Sequence, residues 1–268
     1  MNKKDRPIGV FDSGIGGLTV LKEIMKEMPD EGTIYLGDTA RVPYGIRSPE
    51  TVIRYSFENT RFLFSRDIKL LVVACNTASS VSLGNIKNSI PIPVVGVIEP
   101  GAKAAVMATR NKRIGVIGTE ATIRSDSYTM SIKAIDRDIE VSGLPCPLFV
   151  PLVEEGWTEG DVVTLIAERY LKEIKDKGID TLVLGCTHYP LLKEVISKVM
   201  GEGVRLIDSA VEVAKEIKEI LEIAGLKKEY KDKPLREFYV TDLPERFLEI
   251  GEKFLGQRIE HIELITEL

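Results

Sequence analysis

Short apolar runs of four or five residues alternate along this chain with segments whose apolar positions recur every three or four residues. Residues 8–11, 33–36, 70–74, 94–97, 113–117, 181–184 and 204–207 read as strands. They are too short for helices and too uniformly apolar for half-exposed strands, which suits parallel sheet covered on both faces. Between them, Leu18, Leu21, Ile24, Met25 and Met28 share one face of a helix that Pro29 closes. Residues 162–174 and 211–223 repeat that pattern, with Gly178 and Gly225 placed as C-terminal stops. Pro100 suits the start of a helix after the run at 94–97. A further strand-like run lies at 238–241. Strands alternating with helices predict βαβ units and an α/β fold.

Two of these runs are echoed. Leu71-Val72-Val73-Ala74-Cys75-Asn76-Thr77 resembles Leu182-Val183-Leu184-Gly185-Cys186-Thr187-His188, an offset of 111. Upstream, Ile8-Gly9-Val10 leading to Asp12-Ser13 resembles Ile114-Gly115-Val116 leading to Gly118-Thr119, an offset of 106. Two echoes in the same order at nearly the same offset predict two similar α/β halves. We expect one domain from residues 1–98 with 209–268 and a second from 99–208, the tail packing back on the first half. The sheets would be mostly parallel, related by a pseudo-twofold axis, with the active site in the cleft between them.

Composition narrows the function. The 268 residues carry 36 Lys and Arg against 41 Asp and Glu, a net charge of −5, with a mean hydropathy of +0.01. That is an ordinary globular balance, and it lacks the basic surplus of a nucleic-acid footprint. The longest apolar stretch falls far short of the ~20 residues of a membrane span. No apolar signal core follows the charged first six residues, so the expected compartment is the cytoplasm. Three widely spaced cysteines give no disulfide framework, and two histidines without a Cys/His cluster give no zinc site.

The chemistry concentrates at strand ends, where open parallel sheets bind ligands. Cys75 and Cys186 both sit at such an end. If the halves face each other, the two thiols meet across one cleft. One thiolate can then remove a proton from one face of a carbon while the other thiol protonates the opposite face, inverting a stereocentre. A lone cysteine at a strand end is more often a small buried hydrophobe, which is the reading given to Cys146 between two prolines. Two matched cysteines, each followed by amide, hydroxyl or imidazole groups, favour function. His188, two residues after Cys186, is placed to stabilise a thiolate or carry its proton, whereas His261 sits in an acidic tail with no such neighbour. Asp12-Ser13-Gly14-Ile15-Gly16-Gly17 opens a helix with glycines that let backbone N–H groups approach an anion, at neither the Walker nor the dinucleotide spacing. Asp12 could orient an ammonium or tune Cys75. In the polar loop at 37–45, Tyr44 offers a hydroxyl and Gly45 an approachable amide. Glu154 reads only as a loop charge.

These segments together resemble the glutamate racemases, a family of cofactor-independent amino-acid racemases of bacterial cell-wall synthesis. The likeness rests on Gly9 to Leu18, Gly37 to Gly45, Ala74-Cys75-Asn76-Thr77-Ala78 and Leu184-Gly185-Cys186-Thr187-His188-Tyr189-Pro190, and it runs over essentially the whole chain. The resemblance implies that Cys75 acts on the D-isomer and Cys186 on the L-isomer. It implies that Asp12 and His188 assist the thiols, with Glu154 a carboxylate near His188. Substrate glutamate would be held by Asp12, Ser13, Tyr44, Gly45, Asn76, Thr77, Thr187 and His188. It further implies two α/β domains, a homodimer, no cofactor and a supply of D-glutamate for peptidoglycan. Three alternatives stay open from the residues alone. They are an aspartate or hydantoin racemase, a binding module that would not need matched thiols, and a thiol redox protein whose sulfurs must come within disulfide reach.

Overall fold

The computed structural model describes residues 2–229 and 233–268. In chain order the first part comprises β1 (Ile8–Asp12), α1 (Leu18–Glu27), β2 (Thr33–Gly37), α2 (Pro49–Phe64), β3 (Leu70–Val73), α3 (Asn76–Lys87), β4 (Val94–Gly96) and α4 (Ile98–Ala108). There follow β5 (Arg113–Gly118), α5 (Glu120–Arg124), α6 (Ser127–Ile135), β6 (Glu140–Pro145), α7 (Phe149–Glu154), α8 (Asp161–Asp176), β7 (Thr181–Gly185), α9 (Lys193–Met200) and β8 (Arg205–Asp208). The last elements are α10 (Ser209–Ile223), β9 (Arg236–Val240), α11 (Pro244–Leu255) and β10 (Glu263–Leu264).

The strands form two sheets, ordered β10-β9-β2-β1-β3-β4 and β6-β5-β7-β8. Every pairing within them is parallel. Remove β9 and β10 and the two sheets share one strand order, with β1, β2, β3 and β4 answering to β5, β6, β7 and β8. The sequence echoes fall on these equivalent strands. Their glycines have one physical reason. A Cβ on Gly9 would lie 2.7 Å from Ile68, and one on Gly115 would lie 2.5 Å from Ile179. In each half an isoleucine just ahead of the third strand lies across the first, and only glycine leaves it room.

The central strands β1, β2, β3 and β7 are buried at every position, as their unbroken apolar runs require. Gly178 and Gly225 adopt φ of +65° and +62°, the left-handed conformation that terminates a helix. Pro100 lies in the first turn of α4, where its missing N–H costs nothing. Two strands escaped the sequence pattern. In β6 exposed and half-buried residues are mixed and include Gly143 and Pro145, because it is an edge strand. The two residues of β10 are both exposed. The run at 94–97 ends one residue early, because Val97 becomes the residue that caps α4.

One apolar cluster runs from Ile8, Val10 and Leu18 through Tyr189 and Leu184 to Phe149 and Leu171, so the two sheets share a core. Beyond β8 the chain returns to the first sheet. Helix α10 packs against α1 and α4, β9 pairs with β2, and α11 covers α1. Among the described residues no helix is long and apolar enough to cross a membrane.

A buried ion pair ties this return at the far end of the sheet. Lys69 Nζ reaches the Glu31 carboxylate and the carbonyls of Lys4 (2.7 Å) and Leu226 (3.0 Å). Glu31 also accepts from the backbone N–H of Lys228 at 2.8 Å. Both side chains are at most 3 % exposed. Removing one charge leaves the other buried and uncompensated, which typically costs 3–5 kcal/mol. Glu31→Gln is therefore expected to lower stability by about 3 kcal/mol, read as an earlier urea midpoint at pH 7. An unchanged midpoint would show the pair to be dispensable.

Candidate active site

The carboxyl ends of β1, β3 and β7 converge on one small cavity. Cys75 follows β3 at the N-terminal cap position of α3, and Asn76 and Thr77 form the first turn of that helix. Cys186 follows β7, with Thr187 and His188 leading into the turn at Tyr189. Both thiols line the cavity, as do Ser13, Tyr44, Gly45, Asn76, Thr77, Thr187 and His188. Its volume is about 30 Å³, room for roughly one water. The structure thus brings nine of the expected residues to one surface from four separate loops.

Asp12 and Glu154 stand behind that surface. Asp12 is fully buried below Ser13, with Oδ2 accepting from the Gly14 N–H at 3.0 Å and Oδ1 without a partner. Burial pushes its carboxyl upward, opposed by the charge of His188 and by the N–H groups of Gly17, Gly14 and Ser13. Glu154, at the end of α7, accepts from His188 Nε2 at 3.0 Å. His188 Nδ1 stands 3.8 Å from Cys186 Sγ and 3.5 Å from Thr187 Oγ1. Glu154, His188 and Cys186 thus form a line from the protein to the cavity, with both imidazole nitrogens engaged.

The two thiols have different surroundings. Burial and the neighbouring Asp12 charge push Cys75 up to about 12, offset only in part by the Ala78 N–H and the Ser13 hydroxyl. Ser13 Oγ lies 3.7 Å from Cys75 Sγ. Cys75 therefore rests as a thiol. On the other side, burial alone would lower His188. Its hydrogen bonds to Cys186 and Glu154, with their charges, reverse this and hold it at about 10. Burial would raise Glu154, and the bond to His188 pulls it below its ordinary value instead. A protonated imidazole thus faces Cys186, where a carboxylate backs Cys75.

Contacts from the first sheet hold His188 in place. A Cβ on Gly16 would fall 2.2 Å from Thr187 Oγ1 and 2.6 Å from the imidazole, so this turn admits only glycine. Thr19 Oγ1 donates to the Thr187 carbonyl at 2.9 Å. Phe254 of α11 meets the imidazole edge-on, with centroids 5.5 Å apart.

The loop at 37–45 contributes differently from its sequence reading. The hydroxyl of Tyr44 does not serve the cavity. It donates to the buried Asp38 carboxylate and accepts from Asn59 Nδ2 at 3.1 Å. Asp38 also accepts from Arg41 Nε (2.7 and 2.8 Å) and from Thr241 Oγ1 (3.1 Å). Arg41 lies over the Tyr55 ring at 4.2 Å. The network makes a rigid wall of Val42 to Gly45, leaving the backbone of Tyr44 and Gly45 for a ligand. Sequence reasoning missed four lining residues. Val42, Pro43 and Val150 are apolar wall, with no signal to mark them. Thr119 had one, since the echo aligns it with Ser13. Its hydroxyl lies 3.0 Å from that of Thr77, joining the two halves at the cavity.

Cys146 is buried, with Sγ 3.8 Å from the Leu144 carbonyl, and does not line the cavity. His261 is exposed. All three cysteines are free thiols.

The Asp/Glu/Hydantoin racemase family model matches residues 8–217 of the chain. The chain is 56 % identical over 261 residues to the glutamate racemase of Geobacter metallireducens, covering 97 % of each chain. The crystal structure of glutamate racemase from Francisella tularensis in complex with D-glutamate superposes with a TM-score of 0.93 at 40 % identity, covering 98 % of each chain. A glutamate racemase isoform from Bacillus anthracis superposes at 0.94 with 41 % identity and the same coverage.

The His188–Glu154 pair has a pH signature. A histidine raised above its ordinary 6.5 contributes stability in full below that value, and loses it as pH rises through about 10. Glu154→Gln is expected to shrink the drop in Tm between pH 6.5 and pH 10, measured by thermal unfolding of both proteins. An identical drop in both would remove the carboxylate from the account of His188.

Proposed function

The chain belongs to the Asp/Glu/hydantoin racemase family, and we propose that it interconverts L- and D-glutamate by proton transfer between two thiols, without a cofactor. The observation that carries this is the pair Cys75 and Cys186, set at equivalent strand ends of two equivalent sheets and lining one cavity.

With L-glutamate bound, Cys186 as thiolate takes the α-proton from one face, and Cys75 as thiol gives a proton to the other. The reverse sequence starts from D-glutamate. Cys75 rests protonated, which suits the first direction. His188, held by Glu154, exchanges a proton with Cys186, and the buried carboxyl of Asp12, whose charge is felt at Cys75, assists that thiol. The α-hydrogen of an amino acid is a very weak acid, so charge developing toward the carboxylate needs preorganised donors. Ser13, Asn76, Thr77 and Thr187 supply side-chain donors, and Tyr44 and Gly45 supply backbone amides. A cavity that holds one water is too small for glutamate, so the two halves part to admit it and close again to align the thiols and exclude water.

We infer that the units that part are residues 1–98 with 209–268, and 99–208. The same reading makes the protein a cytoplasmic homodimer, engaging neither nucleic acid nor membrane and supplying D-glutamate for peptidoglycan. The family and the glutamate-specific relatives support this over the binding-module and redox alternatives.

Polarimetry of the purified protein under reducing conditions, with no cofactor added, is expected to show the signal of L-glutamate and of D-glutamate each decaying to zero. Decay with aspartate and none with glutamate would overturn the substrate. Cys75→Ser and Cys186→Ser are each expected to abolish racemisation from both enantiomers, because the equilibrium constant of a racemisation is one and the two directions cannot fail separately. Each variant should keep one-sided chemistry, such as elimination of a good leaving group from one enantiomer of a β-substituted analogue. Loss of elimination with both enantiomers would count against one thiol per face.

A further inference from the structure

Tyr128, on α6, lies outside every motif of the sequence and yet touches both thiol-bearing loops. The side chain is buried. Its hydroxyl donates to Asn76 Oδ1 at 2.8 Å and lies 3.0 Å from Ser209 Oγ. Burial pushes this phenol well above its ordinary value, only partly offset by the Ser209 bond, so it keeps its single hydrogen. That hydrogen goes to Asn76, which makes Ser209 the donor to the phenol oxygen. An amide whose oxygen is engaged in this way presents its NH₂ to the cavity that Asn76 lines.

The ring makes the second contact. Gly185 directly precedes Cys186, and a Cβ there would lie 3.1 Å from Cε2 of Tyr128. One side chain thus touches the residue after Cys75 and the residue before Cys186. Both crossings between the sheets also meet here. Gly101, on α4, approaches Ser209, the first residue of α10, so closely that a Cβ would fall 2.6 Å from Ser209 Oγ and 3.4 Å from Cε1 of Tyr128.

We propose that Tyr128 is a positioning residue for the racemisation: it orients the Asn76 amide as a donor toward the bound amino acid and braces the two thiol-bearing strand ends at one spacing. This rests on the racemase reading above. The hydroxyl matters because a misoriented amide would offer an oxygen, not a donor, to a carboxylate gaining negative charge.

Tyr128→Phe keeps the ring and removes the hydroxyl. Its kcat/KM is expected to fall about tenfold, equally for both enantiomers and chiefly in kcat, from the loss of one orienting hydrogen bond. Tm controls for folding. Combined with Asn76→Ala, Tyr128→Phe is expected to add no more than about a twofold loss, because a residue acting through another is silent once that other is gone. Ser209→Ala, which spares the bond to Asn76, is expected to stay within about threefold of the wild type. Unchanged turnover in Tyr128→Phe would overturn the proposal. So would a further tenfold loss in the double variant, or a loss in Ser209→Ala equal to that in Tyr128→Phe. Absence of turnover in the wild type would instead defeat the racemase reading itself, and this inference with it.

Discussion

Two thiols can face each other across a space the size of a water only if the ends of two separate sheets are held at a fixed distance. The shared apolar cluster does the holding. It extends from β1 and α1, through the Cys186 loop, into α7 and α8. Thr19 on the Thr187 carbonyl, Phe254 on His188 and the Thr77–Thr119 contact are polar and aromatic fixings laid over it. The core is common to both halves at the closed cavity, so opening must expose apolar surface. In the proposed opening and closing, recovery of that surface supplies a hydrophobic driving force independent of the substrate.

Electrostatics then separate two groups that the fold makes alike. Cys75 and Cys186 occupy equivalent positions, and both are buried. Behind Cys75 lies a buried carboxylate with one unpartnered oxygen, beside Cys186 an imidazole whose far nitrogen is tied to Glu154. Burial disfavours the Cys75 thiolate and the nearby Asp12 charge adds to this, so Cys75 keeps its proton. Imidazole between carboxylate and thiol is held protonated. The symmetric scaffold thus places two sulfurs, and the residue behind each gives them unlike surroundings: a buried carboxylate at Cys75 and a protonated imidazole at Cys186.

The C-terminal return makes the site rigid. Thr241, just after β9, bonds to Asp38, and Asp38 in turn holds Arg41 and Tyr44. The wall at Val42 to Gly45 is therefore fixed by a segment some two hundred residues later. Without β9 the loop would keep the bonds of Asp38 to Arg41 and Tyr44 and lose the Thr241 tie that anchors Asp38 to the sheet. The same return brings α11 against His188, so residues with no chemistry of their own help set where the imidazole and the loop amides point.

Local pattern alone carried much of this. Unbroken apolar runs located β1, β2, β3 and β7, because strands covered on both faces leave no polar position. The paired echoes exposed the duplication and both thiols, because equivalent strands in equivalent sheets meet the same packing demands, down to Gly9 under Ile68 and Gly115 under Ile179. Edge strands such as β6 were invisible, since a half-covered strand imposes no period. The sequence also offered Tyr44 as a hydroxyl donor and left Tyr128 unmarked. Those roles depend on Asp38, Asn59, Asn76 and Ser209, which come into reach only when distant segments fold together. Hydrophobic periodicity is written residue by residue and can be read from one chain. The partner of a buried polar group is a matter of distance in space, and only the tertiary structure decides it.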